Sequence, residues 1–194
     1  YKNPDKVRNL ALRCPGTNNP RVCGHLPGVR VDMNMNLDHI HEVWQQIADN
    51  VYGLKMGEVK TFKEACLNVP FSVNVTQSQF TNKIPHVDYP LEYNTRGWAG
   101  LIYLNKPKEC QGGTGFYTYN GMQVNPDQDG IWRKEHVTDS VGPWELIHLA
   151  EMKYNRMIMY PDQVLHSAYD KPGWFEGDNY RLVQVFFIPL HFPT

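Results

Sequence analysis

From about residue 69 onward the chain is a succession of short apolar or alternating segments separated by turn residues. That spacing constrains its fold more than any other feature. Residues 71–77 alternate with period two, 98–104 form a short apolar run, and 115–119 are aromatic and β-prone. Residues 144–152 fit strand or helix, 154–160 alternate again, 164–169 form another short run, and 180–188 close the series with Val and Phe. β-branched and aromatic runs of this length, punctuated by Gly, Pro, Asn and Asp, read as strands. Seven or eight of them in succession predict a β-sandwich or barrel. Residues 120–143 are too long for a plain hairpin, and loops of that size often cover or bind ligands.

The first third follows a different period. Asn3-Pro4-Asp5 places a proline and an acid in a first helical turn, with Val7, Leu10 and Ala11 on one face. Residues 14–30 are rich in Pro, Gly and Asn and read as loop. A second helix is expected from Leu37 or Asp38 to about Tyr52, because Ile40, Val43, Trp44, Ile47 and Val51 recur at helical spacing and Gly53 stops it. A chain of 194 residues fits a single domain. Residues 1–68 would then be helical support and loop, and residues 69–194 the β core.

Charge narrows the partners. With 19 basic and 20 acidic residues the net charge is -1. No basic stripe predicts nucleic acid as a partner and no polybasic run predicts an anionic membrane. The most apolar stretch, 182–190, is interrupted by Gln184 and Pro189 and is far shorter than the ~20 residues that cross a bilayer. Four irregularly spaced cysteines, Cys14, Cys23, Cys66 and Cys110, suit a reducing cytoplasm, although Cys14 and Cys23 flank a loop that a bridge would close. The chain opens on Tyr1 rather than Met, which leaves room for a preceding segment, including a signal peptide.

Three positions are candidates for chemistry. His86-Val87-Asp88 is common as a tripeptide, but it follows an expected strand and the bend at Pro85. In a strand, residues two apart share a face, so His86 and Asp88 can meet one metal. His166 lies in an apolar segment far along the chain. Alone it would be a buried histidine bonded to backbone. Arg181 opens the last strand, followed by Val183, Val185 and Phe187, and a guanidinium buried there needs a planar anion. Two histidines and one carboxylate on a β scaffold make the facial triad of non-haem Fe(II) oxygenases, with three coordination positions left open.

The ordered series His86-Val87-Asp88, Leu101-Ile102-Tyr103-Leu104-Asn105, Gly112-Gly113-Thr114-Gly115-Phe116, His166 and Arg181 resembles the 2-oxoglutarate/Fe(II)-dependent oxygenases, in particular the prolyl-hydroxylase-like branch. The resemblance implies a double-stranded β-helix, a jelly-roll of cupin type, behind N-terminal helices. It implies that His86, Asp88 and His166 bind Fe(II), and that 2-oxoglutarate chelates the metal. Arg181, assisted by Tyr103, would hold the far carboxylate, with Arg156 a rival anchor. It implies that O2 is consumed, that succinate and CO2 are released, and that a C–H bond of a small molecule, amino acid or peptide is hydroxylated, desaturated or cyclised. Retention of Asp88 argues against a halogenase. Two other readings remain: a cupin-type metal-binding isomerase or non-redox metalloenzyme, and a β-sandwich interaction module that is no enzyme.

The remaining histidines read as structural. Asp38-His39-Ile40-His41-Glu42 is a helix start, since residues two apart on a helix do not face each other. His25 and His191 have no partner in sequence, and His136 and His148 are weaker structural cases, of which His136 lies in the long loop, where loops often contact substrate. Gly112-Gly113-Thr114-Gly115 lacks the Lys-Ser/Thr ending of a phosphate loop.

Overall fold

The computed structural model describes residues 1–13, 29–32, 37–47, 49–50, 72–76, 84–88, 97–124 and 137–189. The Cys14–Cys23 pairing, Cys66, His25, His136, His191, the expected end of the second helix and the middle of the 120–143 loop lie outside these residues.

Helix α1 spans Pro4–Arg13. Asn3 starts it, its Oδ1 accepting the Lys6 N–H at 3.1 Å, with Pro4 at the position where a missing N–H costs nothing. Strand β1 covers Val29–Asp32, where the sequence suggested loop as far as Arg30. Helix α2 covers Leu37–Ile47. The strands follow in the expected order: β2 Ser72–Thr76, β3 Gly97–Tyr103, β4 Gly113–Tyr119, β5 Trp144–Glu151, β6 Met157–Pro161, β7 His166–Tyr169 and β8 Arg181–Pro189.

The protein is mainly β, with two antiparallel sheets. The larger runs β1-β2-β8-β3-β6 and the smaller β5-β4-β7. The alternation of β3, β6 and β8 separates two cores. Ile102, Leu104, Leu182 and Phe186 pack with Val7, Ala11, Val43, Trp44 and Ile47, so the helices cover one face of the larger sheet. Ala99, Leu101, Tyr103, Tyr160 and Val183 turn to the other face, where Phe116 of β4 meets them. Burying each large apolar side chain contributes about 1.5–3 kcal/mol, so a sheet covered on both faces needs no metal to hold it.

At one end of the space between the sheets, polar bonds cross from sheet to sheet. The Tyr103 hydroxyl meets Thr114 Oγ1 at 2.7 Å and the Ala150 carbonyl at 3.1 Å, and Arg181 donates to the Gly113 carbonyl at 3.1 Å. The glycines at 112 and 113, where the chain enters β4, are demanded by crowding. A Cβ on Gly112 would lie 2.0 Å from the Tyr169 carbonyl oxygen, and one on Gly113 would lie 2.1 Å from that of Ala150. Gly112 also takes φ +64°, which glycine adopts without strain.

A candidate metal centre between the sheets

The triad is assembled by backbone. Residues 84–88 run beside the start of β7, where His86 and His166 form an isolated antiparallel bridge with both N–H···O distances 3.0 Å. The Asp88 N–H donates to the Asp162 carbonyl at 3.0 Å, which ties the same segment to the turn after β6. The structure thus brings together all three residues that the sequence singled out. One ligand atom from each of His86, Asp88 and His166 lies within 4.8 Å of the others.

Both imidazoles are oriented in the same way. Nδ1 of His86 lies 3.0 Å from the Ile84 carbonyl, and Nδ1 of His166 lies 2.9 Å from that of Val164. A carbonyl only accepts, so each Nδ1 carries a proton and donates, and in the neutral ring each Nε2 keeps its lone pair. Those lone pairs face a carboxylate: Asp88 Oδ2 is 3.4 Å from His166 Nε2, and Oδ1 is 4.0 Å from His86 Nε2.

Acceptors facing acceptors in a buried place are unfavourable unless a cation joins them. Asp88 Oδ2 is buried and has no hydrogen-bond partner among the described residues. Burial pushes the Asp88 carboxyl up to about 6; His86, when protonated, opposes this and the Asp162 charge adds to it. Burial also pushes the His166 imidazole down to about 4, so it is neutral at pH 7. A neutral imidazole, a second imidazole presenting Nε2 and a desolvated carboxylate fit a divalent transition metal with open positions.

Asp162, in the turn after β6, sits beside Asp88. Its carboxylate is also raised by burial, but backbone N–H groups of Gly97 and Gln163 bond to it. Those bonds occupy it, whereas Asp88 Oδ2 has no such partner among the described residues.

Behind the triad the space is aromatic. The Tyr160 ring lies 4.6 Å from that of His166 and 5.1 Å, edge-on, from that of Phe116. Its phenol is raised well above the ordinary value by burial, then by the charges of Asp88 and Tyr103, with Arg181 opposing. Tyr160 therefore lies against the triad and within reach of the Arg181 charge. Nothing along the sequence marks it, because a Tyr at a strand end reads as core.

Arg181 is buried, 7% exposed, on the β8 face that also carries Val183, Val185 and Phe187. Among the described residues it pairs with no carboxylate, and its Nε has no hydrogen-bond partner. Burial raises the Tyr103 phenol while the nearby Arg181 charge opposes. Asn105 fixes this arginine from both sides: its Nδ2 donates to the Tyr180 carbonyl at 2.7 Å, and its Oδ1 accepts the Leu182 N–H at 2.8 Å. Asn105 is buried and ends the Tyr-Leu-Asn series, which was the signal for it. Arg156, the rival anchor, lies instead at the turn between β5 and β6, its Nη1 donating to the Glu151 carbonyl at 2.9 Å.

A family model described as a family of unknown function (DUF6445) matches residues 1–129. That span includes His86 and Asp88 and stops before His166 and Arg181. No curated protein matches the chain. Among the described residues, no helix is long and apolar enough to cross a membrane.

Proposed function

We propose that this chain, which belongs to the DUF6445 family of unknown function, is an Fe(II)- and 2-oxoglutarate-dependent dioxygenase on a double-stranded β-helix. The observation that carries the reading is a pairing of two uncompensated groups in one inter-sheet space. At one end is a buried carboxylate oxygen with no hydrogen-bond partner among the described residues, faced by two imidazoles. Toward the other is a buried guanidinium that pairs with no carboxylate among them. A ligand that chelates a metal at one end and carries a carboxylate at the other satisfies both.

Strand order supports the fold part of the proposal. If residues 84–88 count as a fourth strand of the smaller sheet, through their bridge to His166, that sheet runs 84–88, β7, β4, β5. From β2 onward the described strands then alternate between the sheets, except that β4 and β5 are neighbours in the smaller one, which is the order of a jelly-roll.

His86, Asp88 and His166 would hold Fe(II). When bound, the iron supplies the redox chemistry: 2-oxoglutarate and O2 become succinate and CO2, and one oxygen atom enters a substrate C–H bond. The chain's own residues bind, orient and exclude. Arg181 would pair with the distal carboxylate, held in place by Asn105, with the Tyr103 hydroxyl adjacent. Phe116, Tyr160 and Val183 keep the space between dry, which strengthens each polar contact within it. The substrate is a small molecule, an amino acid or a peptide, not nucleic acid or membrane lipid, and the sparse cysteines suit work in the cytoplasm.

The test is an anaerobic titration of metal-free protein with Fe(II), then 2-oxoglutarate, watching the visible metal-to-ligand charge-transfer band. A band saturating at one equivalent is expected. Metal binding without a band would transfer the site to a cupin-type isomerase or non-redox enzyme. Absence of stoichiometric metal binding would remove the enzyme reading and leave an interaction module.

A further inference from the structure

Arg156 has a place of its own. The turn that carries it joins β5 to β6, which are edge strands of different sheets. A cavity of about 500 Å³ opens beside that turn, between the two edges, lined among others by His148, Ala150, Glu151, Lys153, Arg156 and Ile158. Among the described residues neither Arg156 nor Lys153 pairs with a carboxylate. Glu151 is the one acid in the lining, against Lys153 and Arg156.

This cavity borders the interior. Ile158 lines it and also packs in the cluster that holds Tyr103, Tyr160 and Val183. Ala150 lines it and accepts the Tyr103 hydroxyl through its carbonyl at 3.1 Å. Tyr103 is close enough to feel the charge of both arginines, Arg181 more strongly than Arg156. The outer and the buried guanidinium thus flank one side chain.

We propose that the gap between β5 and β6 is a side port through which a dicarboxylate of the 2-oxoglutarate class reaches Arg181, steered by Arg156 and Lys153. This rests on the proposed function. The other approach, from the triad end, takes an anion past the Asp88 carboxylate and the rings of Tyr160 and Phe116. With Fe(II) in place the metal offsets the Asp88 charge, and it is the desolvation of the anion along those rings that opposes that route. Cations at the rim of a low-dielectric cleft raise the local anion concentration and the association rate, and salt weakens the effect.

The experiment is rapid mixing of 2-oxoglutarate with the anaerobic Fe(II)-loaded protein, which yields association and dissociation rates separately. Arg156→Gln and Lys153→Gln are each expected to slow association about three- to tenfold at low ionic strength and to flatten its salt dependence. Dissociation and Fe(II) affinity should match the wild type. Unchanged association in both variants would overturn the port. Faster dissociation in Arg156→Gln would also overturn it, since Arg156 would then grip the ligand rather than steer it. If the Fe(II)-loaded wild-type protein binds no 2-oxoglutarate, the proposed function fails and the port with it, an outcome distinct from failure of the port alone.

Discussion

His86 and His166 sit directly opposite each other, each backbone N–H donating to the other's carbonyl at 3.0 Å, with ring centroids 4.6 Å apart. Their side chains can be changed without touching that bridge. His166→Ala keeps the N–H and the carbonyl and loses only the imidazole. Fe(II) affinity and metal-dependent succinate release should fall at least about 100-fold, while far-UV circular dichroism stays native. Wild-type turnover in this variant would remove His166 from the triad.

Asp88 carries the opposite trade. Its carboxylate is desolvated and raised to about 6, so the metal-free fold bears the cost of ionising it at pH 7. Asp88→Asn should stabilise the metal-free protein by about 1–3 kcal/mol in urea and abolish the rise in Tm that Fe(II) gives the wild type. A destabilised variant that still gains Tm with metal would mean that Asp88 is structural.

Metal uptake should depend on pH through the same carboxyl. Asp88 must lose its proton to bind, whereas His166 is already neutral above about 4. Affinity for Fe(II), measured anaerobically, should therefore rise about tenfold per pH unit up to about 6 and then level off. Stability of the metal-free protein has two opposing terms in this window. The raised Asp88 contributes stability at low pH that is lost as pH rises through about 6. The depressed His166 contributes stability at higher pH that is lost as pH falls through about 4. Asp88→Asn removes the first term, so that variant should be more acid-sensitive than the wild type. Equal acid profiles would contradict the assigned shifts.

Arg181 and Asn105 should separate cosubstrate binding from metal binding. Arg181→Met keeps an unbranched stem in the core and should raise the KM for 2-oxoglutarate on the order of 100-fold, with Fe(II) affinity unchanged. Asn105→Ala loses two bonds to the backbone flanking Arg181, so it should cost about 1–3 kcal/mol of stability and also raise that KM. If Arg156→Gln raised the KM by as much as Arg181→Met, the anchor would have to move.

Much of this was legible along the chain because periodicity is local. Alternating and aromatic runs marked β2, β3, β4, β6, β7 and β8 to within a few residues, and Asn3-Pro4 marked the start of α1. Residues 144–152 were ambiguous for a physical reason: β5 is an edge strand, with Glu145 and Ile147 exposed, so its burial pattern does not impose period two. β1 was hidden in a Pro- and Gly-rich context and is defined by pairing, Val31 opposite Val73. The choice between Arg156 and Arg181 could not be made from alternation, because either face of a strand fits until its neighbour is known.

Local sequence carries the kinds of element and the kinds of chemical group: helices, then strands, with two imidazoles, a carboxylate and a guanidinium at particular positions. Tertiary structure decided which of them meet. The β8 register sets Thr76 opposite Arg181 and Tyr103 opposite Val183, which turns Arg181 inward. The bridge at His86 sets the triad. The glycines at 112 and 113 let β4 enter between β5 and β7. Period is a property of a few adjacent residues, whereas register is settled only when distant strands bury their faces together. A slip of one residue would turn each of these side chains to the opposite face.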